Sequence, residues 1–234
     1  MSAVFYADGA VRSMIRFFTL SALLLTTSAL ADPPDFSKGG FLFQIQYGPG
    51  FWTMDPNKLD ADTGSRDPGG AAGFVTDLAN THTVSLGIAY NILGHASLGA
   101  DITATGWDLT TSDRGGGGFA VGKVAWHPLE LVFLNKEKRP IGLDASTWFG
   151  VGYGIVGEKR GMDGLLFEWG LSADWFFVKY FGVGFFVRGV FFNWDKYYLD
   201  YNNRDQPGNT ITLSSPSGGS FWTFGLTLTL RAGE

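Results

Sequence analysis

The chain has 234 residues, 34 of them glycine, with 16% aromatic residues, 17% charged residues and a net charge of −5. Glycine stands at about twice its usual share, and charge falls well below the roughly 25% of ordinary soluble domains. There is no cysteine, which excludes disulfides, thiolate metal sites and cysteine nucleophiles; no basic stripe offers itself to nucleic acid.

The first element is MIRFFTLSALLLTTSALA, residues 14–31: a basic start, an apolar centre and an Ala29-Leu30-Ala31 end, preceding Asp32-Pro33-Pro34. This is the pattern of a secretory signal peptide. We expect removal of residues 1–31, with Met14 as an alternative start, and a short periplasmic segment over 32–39. No later apolar run reaches the 18 or so residues of a spanning helix.

Eight segments of period-two alternation occupy the rest of the chain. Phe41, Phe43, Ile45 and Tyr47 alternate with Gln44 and Gln46. Val84 to Tyr90 and Leu98 to Ala104 repeat the pattern. A weaker fourth run sets Ala120, Gly122, Val124 and Trp126 against Phe119, Val121, Lys123 and Ala125. The fifth covers roughly 142–156. The sixth sets Leu165, Phe167, Trp169, Leu171, Ala173 and Trp175 against Glu168, Gly170, Ser172 and Asp174. The seventh sets Val183, Phe185, Val187 and Phe191 against Gly184 and Arg188. The eighth sets Trp222 to Leu230 against Thr223 to Thr229. Strict alternation marks strands with one apolar and one polar face.

The fifth run contains GVGYGIVG, in which Gly152, Gly154 and Gly157 spell the letters of a dinucleotide-binding loop. That motif works only between a strand and a helix. The next seven residues, EKRGMDG, carry no helical period. The glycines at 150, 152 and 154 instead share one strand face, opposite Phe149, Val151, Tyr153 and Ile155.

Segments of about ten residues, even in number, predict an all-β, eight-stranded antiparallel transmembrane up-and-down β-barrel over 40–230. With both termini in the periplasm, the longer gaps (53–80, 109–117 and 195–218) fall outside and the short turns inside. The gap 127–140 is the exception. Six tryptophans lie near strand ends and are expected to form aromatic girdles: Trp52, Trp107, Trp194 and Trp222 at the outer interface, Trp126 and Trp175 at the inner.

The last strand resembles the C-terminal signal read by the barrel-assembly machinery, through Thr223, Gly225, Leu228 and Leu230, with Arg231–Glu234 as an extra tail. The segment 40–230 resembles the small eight-stranded outer-membrane barrels, the superfamily of the outer membrane protein A transmembrane domain. That resemblance implies outer-membrane lipid, lipopolysaccharide and the assembly machinery as partners. It also implies a structural or interaction role through loops 53–80 and 195–218, which would meet an extracellular ligand or protein. A narrow pore and a lipid-modifying enzyme are the alternatives.

Eight strands enclose a width that side chains fill. Asp101, Lys123, Asp144, Glu168, Asp174 and Arg188 fall on the inward parity and are expected to pair as a lumen charge network, because a buried lone charge is costly. No enzyme, metal or cofactor is expected. His95-Ala-Ser97 is similar to the His-x-Ser pair of lipid A deacylase barrels, yet the parity puts His95 in an inner turn with no acid nearby. His82 alone stands near the outer rim, short of a protease constellation. Asp60-Ala-Asp62-Thr-Gly64 opens like a calcium loop but lacks the closing ligands.

Overall fold

The computed structural model describes residues 39–68, 70, 74, 81–92, 95–107, 115–129, 142–178 and 180–232. The expected signal peptide, most of the gap 127–140 and most of the later part of the 53–80 loop lie outside these residues. The strands are β1 (Gly40–Met54), β2 (Thr81–Ile92), β3 (Ala96–Trp107), β4 (Gly115–Trp126), β5 (Leu143–Gly157), β6 (Gly161–Val178), β7 (Phe181–Tyr198) and β8 (Thr210–Ala232). Each pairs antiparallel with the next, and β8 pairs with β1, so the sheet closes into a barrel without an edge. GVGYGIVG runs straight through β5, and β6 comes after it, so no helix N-terminus stands there to meet a phosphate.

Alternation sorts the side chains into two environments. Leu98, Ile102, Phe149 and Phe185 point outward, 60%, 68%, 67% and 70% exposed, and the same belt carries Phe43, Leu86, Val151, Phe167 and Leu226. An exposed apolar surface that surrounds the whole molecule has no place in water. It matches the lipid-facing band of a membrane-spanning barrel.

The inward face is packed where glycine allows it. A Cβ on Gly152 would stand 2.1 Å from the Ala120 carbonyl oxygen, and one on Gly170 would stand 2.2 Å from the Trp148 ring. The Trp148 indole therefore lies against β6 only because residue 170 has no side chain. We predict that Gly170→Val destabilises the barrel by about 1–3 kcal/mol through overpacking, read as a lower urea midpoint in lipid vesicles.

The end carrying the β1–β2 and β7–β8 connections is elaborate, and we term it the cap end. The segment after β1 folds into helix α1 (Pro56–Thr63), started by Asp55, whose Oδ1 accepts from the Asn57 and Lys58 amides at 3.0 and 3.3 Å. Asp60 and Asp62 thus lie on helical backbone and not in a calcium loop. Gly64, at φ +57°, ends α1 and allows the reversal that a side chain would resist. The stretch 195–218 is largely strand: Lys196 to Tyr198 pair with Thr210 to Thr212, after a register shift next to Trp194. Residues 199–209, with a 3-10 turn at Tyr201–Asn203, remain as the connection.

Candidate functional site

The inward side chains stack in three tiers along the lumen. At the cap end the tier is aromatic. Phe192 and Trp194 stack with ring centroids 4.2 Å apart, and Trp52 meets Phe221 at 4.6 Å. Trp107, Phe119, Leu59 and Phe74 complete the same cluster. Three expected girdle residues are corrected here: Trp52, Trp107 and Trp194 face the lumen and do not touch lipid. Their parity explains it. Trp107 continues the inward series Asp101, Thr103 and Thr105, and Trp194 continues Arg188, Val190 and Phe192. Trp222 does face outward, packed against Trp169 and Phe191, and Trp126 and Trp175 are exposed on the outer wall at the opposite end.

Above the aromatics, the folded connection is pinned by charge. Asp67 accepts from Arg160 Nε and Nη2 at 2.6 and 2.9 Å and from the Tyr197 hydroxyl at 2.6 Å. Arg66 donates to the Gly208 carbonyl at 2.6 Å. A second tyrosine, Tyr198, donates to Asp163. The Arg160 hydrogen bonds, aided by Tyr197, hold the Asp67 carboxyl below the usual carboxylate range against the opposing effect of burial. Burial and Asp67 together push the Tyr197 phenol up. A carboxylate with a lowered folded pKa stabilises the cap above its unfolded value, near 3.9, and loses that contribution as pH falls below it. Limited proteolysis of segment 55–68 should therefore speed up below about pH 4, and Arg160→Ala should move that onset to higher pH.

The middle tier holds four of the expected charges. Lys123 Nζ is 2.7 Å from Asp101 Oδ2 and lies over the Trp148 ring. Arg188 is fully buried, with its guanidinium between the Phe119 and Phe186 rings, each 5.6 Å away. It donates to Thr103 Oγ1 at 3.1 Å and Ser85 Oγ at 2.8 Å, and its Nη1 is 3.8 Å from Glu168 Oε2. Glu168 Oε1 accepts from Trp148 Nε1 at 2.7 Å. Two cations and two carboxylates thus cancel within one layer.

The third tier lies at the end opposite the cap, which carries the start of β1 at Gly40 and the end of β8 at Ala232. Here Ser97 Oγ is 3.2 Å from His127 Nε2, and His127 Nδ1 is 2.9 Å from Asp144 Oδ2. Asp174, the cross-strand neighbour of Asp144, accepts from Ser172 at 3.0 Å and Thr229 at 3.1 Å. All these residues are buried. As parity places it, His95 is exposed in the β2–β3 turn, while Ser97 turns inward. His127 escapes a strand-by-strand reading because it stands one residue beyond β4. Its parity, continuing Val121, Lys123 and Ala125, is the signal that points to it.

In the closing strand, Thr223 is buried and bonds to Thr83 at 3.2 Å and to the Pro49 carbonyl at 2.9 Å. Gly225 lies where a Cβ would stand 2.0 Å from the Tyr47 carbonyl oxygen, and Leu228 and Leu230 face outward. The β1–β8 seam that closes the barrel runs past them.

No protein-family model matches the sequence, and no curated protein matches it as a relative. Among solved structures, it is similar to Neisserial surface protein A at 7% identity, covering 82% of this chain and 98% of that one, with a TM-score of 0.48. It is similar to the outer membrane protein OprG from Pseudomonas aeruginosa at 7% identity, over 87% and 99% of the two chains, with a TM-score of 0.46. For the N-terminal β-barrel domain of Pseudomonas aeruginosa OprF the values are 9%, 83%, 99% and 0.42. By its own strand number, pairing and apolar exterior, the chain is a small eight-stranded antiparallel membrane β-barrel.

Proposed function

We propose that the chain is an integral β-barrel of the bacterial outer membrane with a structural, surface-presenting role, its cap end outside and both termini in the periplasm. One observation carries this: a closed barrel with a lipid-type exterior has its cap and middle tiers filled by buried side chains, so the exposed cap is what it offers to other molecules. The asymmetry of the connections supports the orientation. The turn around His95 and the β6–β7 turn are short, while the cap carries α1 and the extended β7–β8 hairpin, the asymmetry of outer-membrane barrels. An extracellular ligand or protein would meet the surface formed by Asn57, Lys58, Arg66 and the polar run 202–208, all exposed. The filled lumen weighs against the narrow-pore reading, since eight strands leave no width beyond their side chains.

The chain has no cysteine, so a single introduced thiol reports position cleanly. In intact Gram-negative cells expressing the chain, Asn203→Cys should react with a membrane-impermeant maleimide, and His95→Cys should react only after permeabilisation. The reverse pattern would overturn the orientation, and no reaction of either in any state would overturn the surface reading.

A further inference from the structure

We propose that Ser97, His127 and Asp144 form an activated serine site that accepts acyl groups from small carboxylic esters at the terminal end of the lumen. The geometry is that of a nucleophile, a base and an orienting carboxylate in line. Asp144 accepts from His127 Nδ1 at 2.9 Å, which fixes the tautomer: the proton sits on Nδ1 and the lone pair of Nε2 faces the Ser97 hydroxyl at 3.2 Å. The strands place all three groups without strain. Ser97 is the first inward residue of β3, His127 comes directly after β4, and Asp144 is the first inward residue of β5. They stand toward that end of the lumen, with the buried Phe176 and Arg231 two residues nearer the end than Asp174 and Thr229.

The surroundings select the substrate class. Just inside the triad lies an apolar layer of Ala125, Trp148 and Phe186. Ala125 is the cross-strand partner of Ser97 and also pairs with Trp148. That layer suits an acyl chain, and its closeness limits the chain to a short one. Asn91 is the other cross-strand partner of Ser97 and is buried on the same face.

The step balances on these groups alone. Ser97 Oγ bonds to the ester carbonyl carbon while its proton passes to His127 Nε2. The carbon–alkoxy bond then breaks, and the alcohol leaves with that proton. Water, deprotonated by His127, attacks the acyl-serine; the carboxylic acid departs and the Ser97 hydroxyl is restored. Asp144 stays ionised and holds the imidazole. A purely structural hydrogen-bond chain would show the same distances but no reactivity.

The test uses the full chain refolded in detergent, with an unboiled gel band certifying each sample as folded. A small fluorophosphonate should form one adduct, mapped by mass spectrometry to Ser97, and p-nitrophenyl acetate should be hydrolysed. Ser97→Ala should abolish both. His127→Gln and Asp144→Asn should each slow labelling by roughly a hundredfold, and they carry the test if Ser97→Ala does not fold. Absence of a Ser97 adduct on the folded wild type, or equal labelling rates in His127→Gln, would overturn the proposal. Neither result bears on the surface-presenting reading, which the Asn203 and His95 thiols decide separately.

Discussion

Arg188→Leu is expected to lower the stability of the folded barrel by about 3–5 kcal/mol, measured as urea unfolding from lipid vesicles. The size reflects what stays behind. Arg188 is fully buried, and Glu168, beside it, is buried on the same inward face. Removing the guanidinium leaves the Glu168 carboxylate facing the Asp101 side of the tier with only Lys123 to offset two anions. It also strips Ser85 and Thr103 of a donor, although these two still bond to each other at 2.7 Å. The loss belongs to the broken pair, not to the arginine's packing alone. Arg188→Met combined with Glu168→Gln should therefore recover most of it, because the charge is removed on both sides while Trp148 keeps an acceptor. A double variant as unstable as Arg188→Leu would show that the tier is held by shape and not by charge.

The second large effect lies on the other side of the wall. Ile102→Arg should cost about 2–4 kcal/mol when the barrel is refolded into vesicles. Ile102 is 68% exposed and sits at mid-height on β3, between Leu86 and Ala120. On a water-soluble protein an exposed position of this kind tolerates arginine within about 0.5 kcal/mol. The two environments thus predict different outcomes for one substitution that disturbs no internal contact. A neutral result in vesicles would place Ile102 in water.

Much of this architecture is legible in parity. The period-two runs locate all eight strands. The inward parity places Asp101, Lys123, Asp144, Glu168, Asp174 and Arg188 in the interior, where the structure has them. The tryptophans show what is lost when parity is set aside. Height along the strand puts Trp52, Trp107 and Trp194 at an interface, but height alone cannot separate a girdle from a plug; one residue of register decides the face. Context resolves the Gly-rich letters of β5, since a strand and not a helix comes next.

Other features lie beyond the reach of the pattern. Asp67 meets Arg160 and Tyr197 across 93 and 130 residues of chain, and no local rule brings such groups together. Which inward residues share a tier depends on the stagger of neighbouring strands, and alternation leaves that stagger open. This is why the sequence offers no partner for Ser97, whose neighbour in space is His127, 30 residues on. The stretch 195–218 reads equally as a surface loop or as strands extended beyond the membrane; the pairing of Lys196–Tyr198 with Thr210–Thr212 extends β7 and β8 into it, with 199–209 as the connection.

The central claim is a closed barrel embedded in lipid, and its most direct test is gel mobility. The chain would be refolded in detergent and run with and without boiling, alongside circular dichroism. The account predicts two bands that interconvert on heating, with a β-type spectrum in the unboiled sample. A single band at both temperatures, from a chain that stays soluble without detergent, would contradict it.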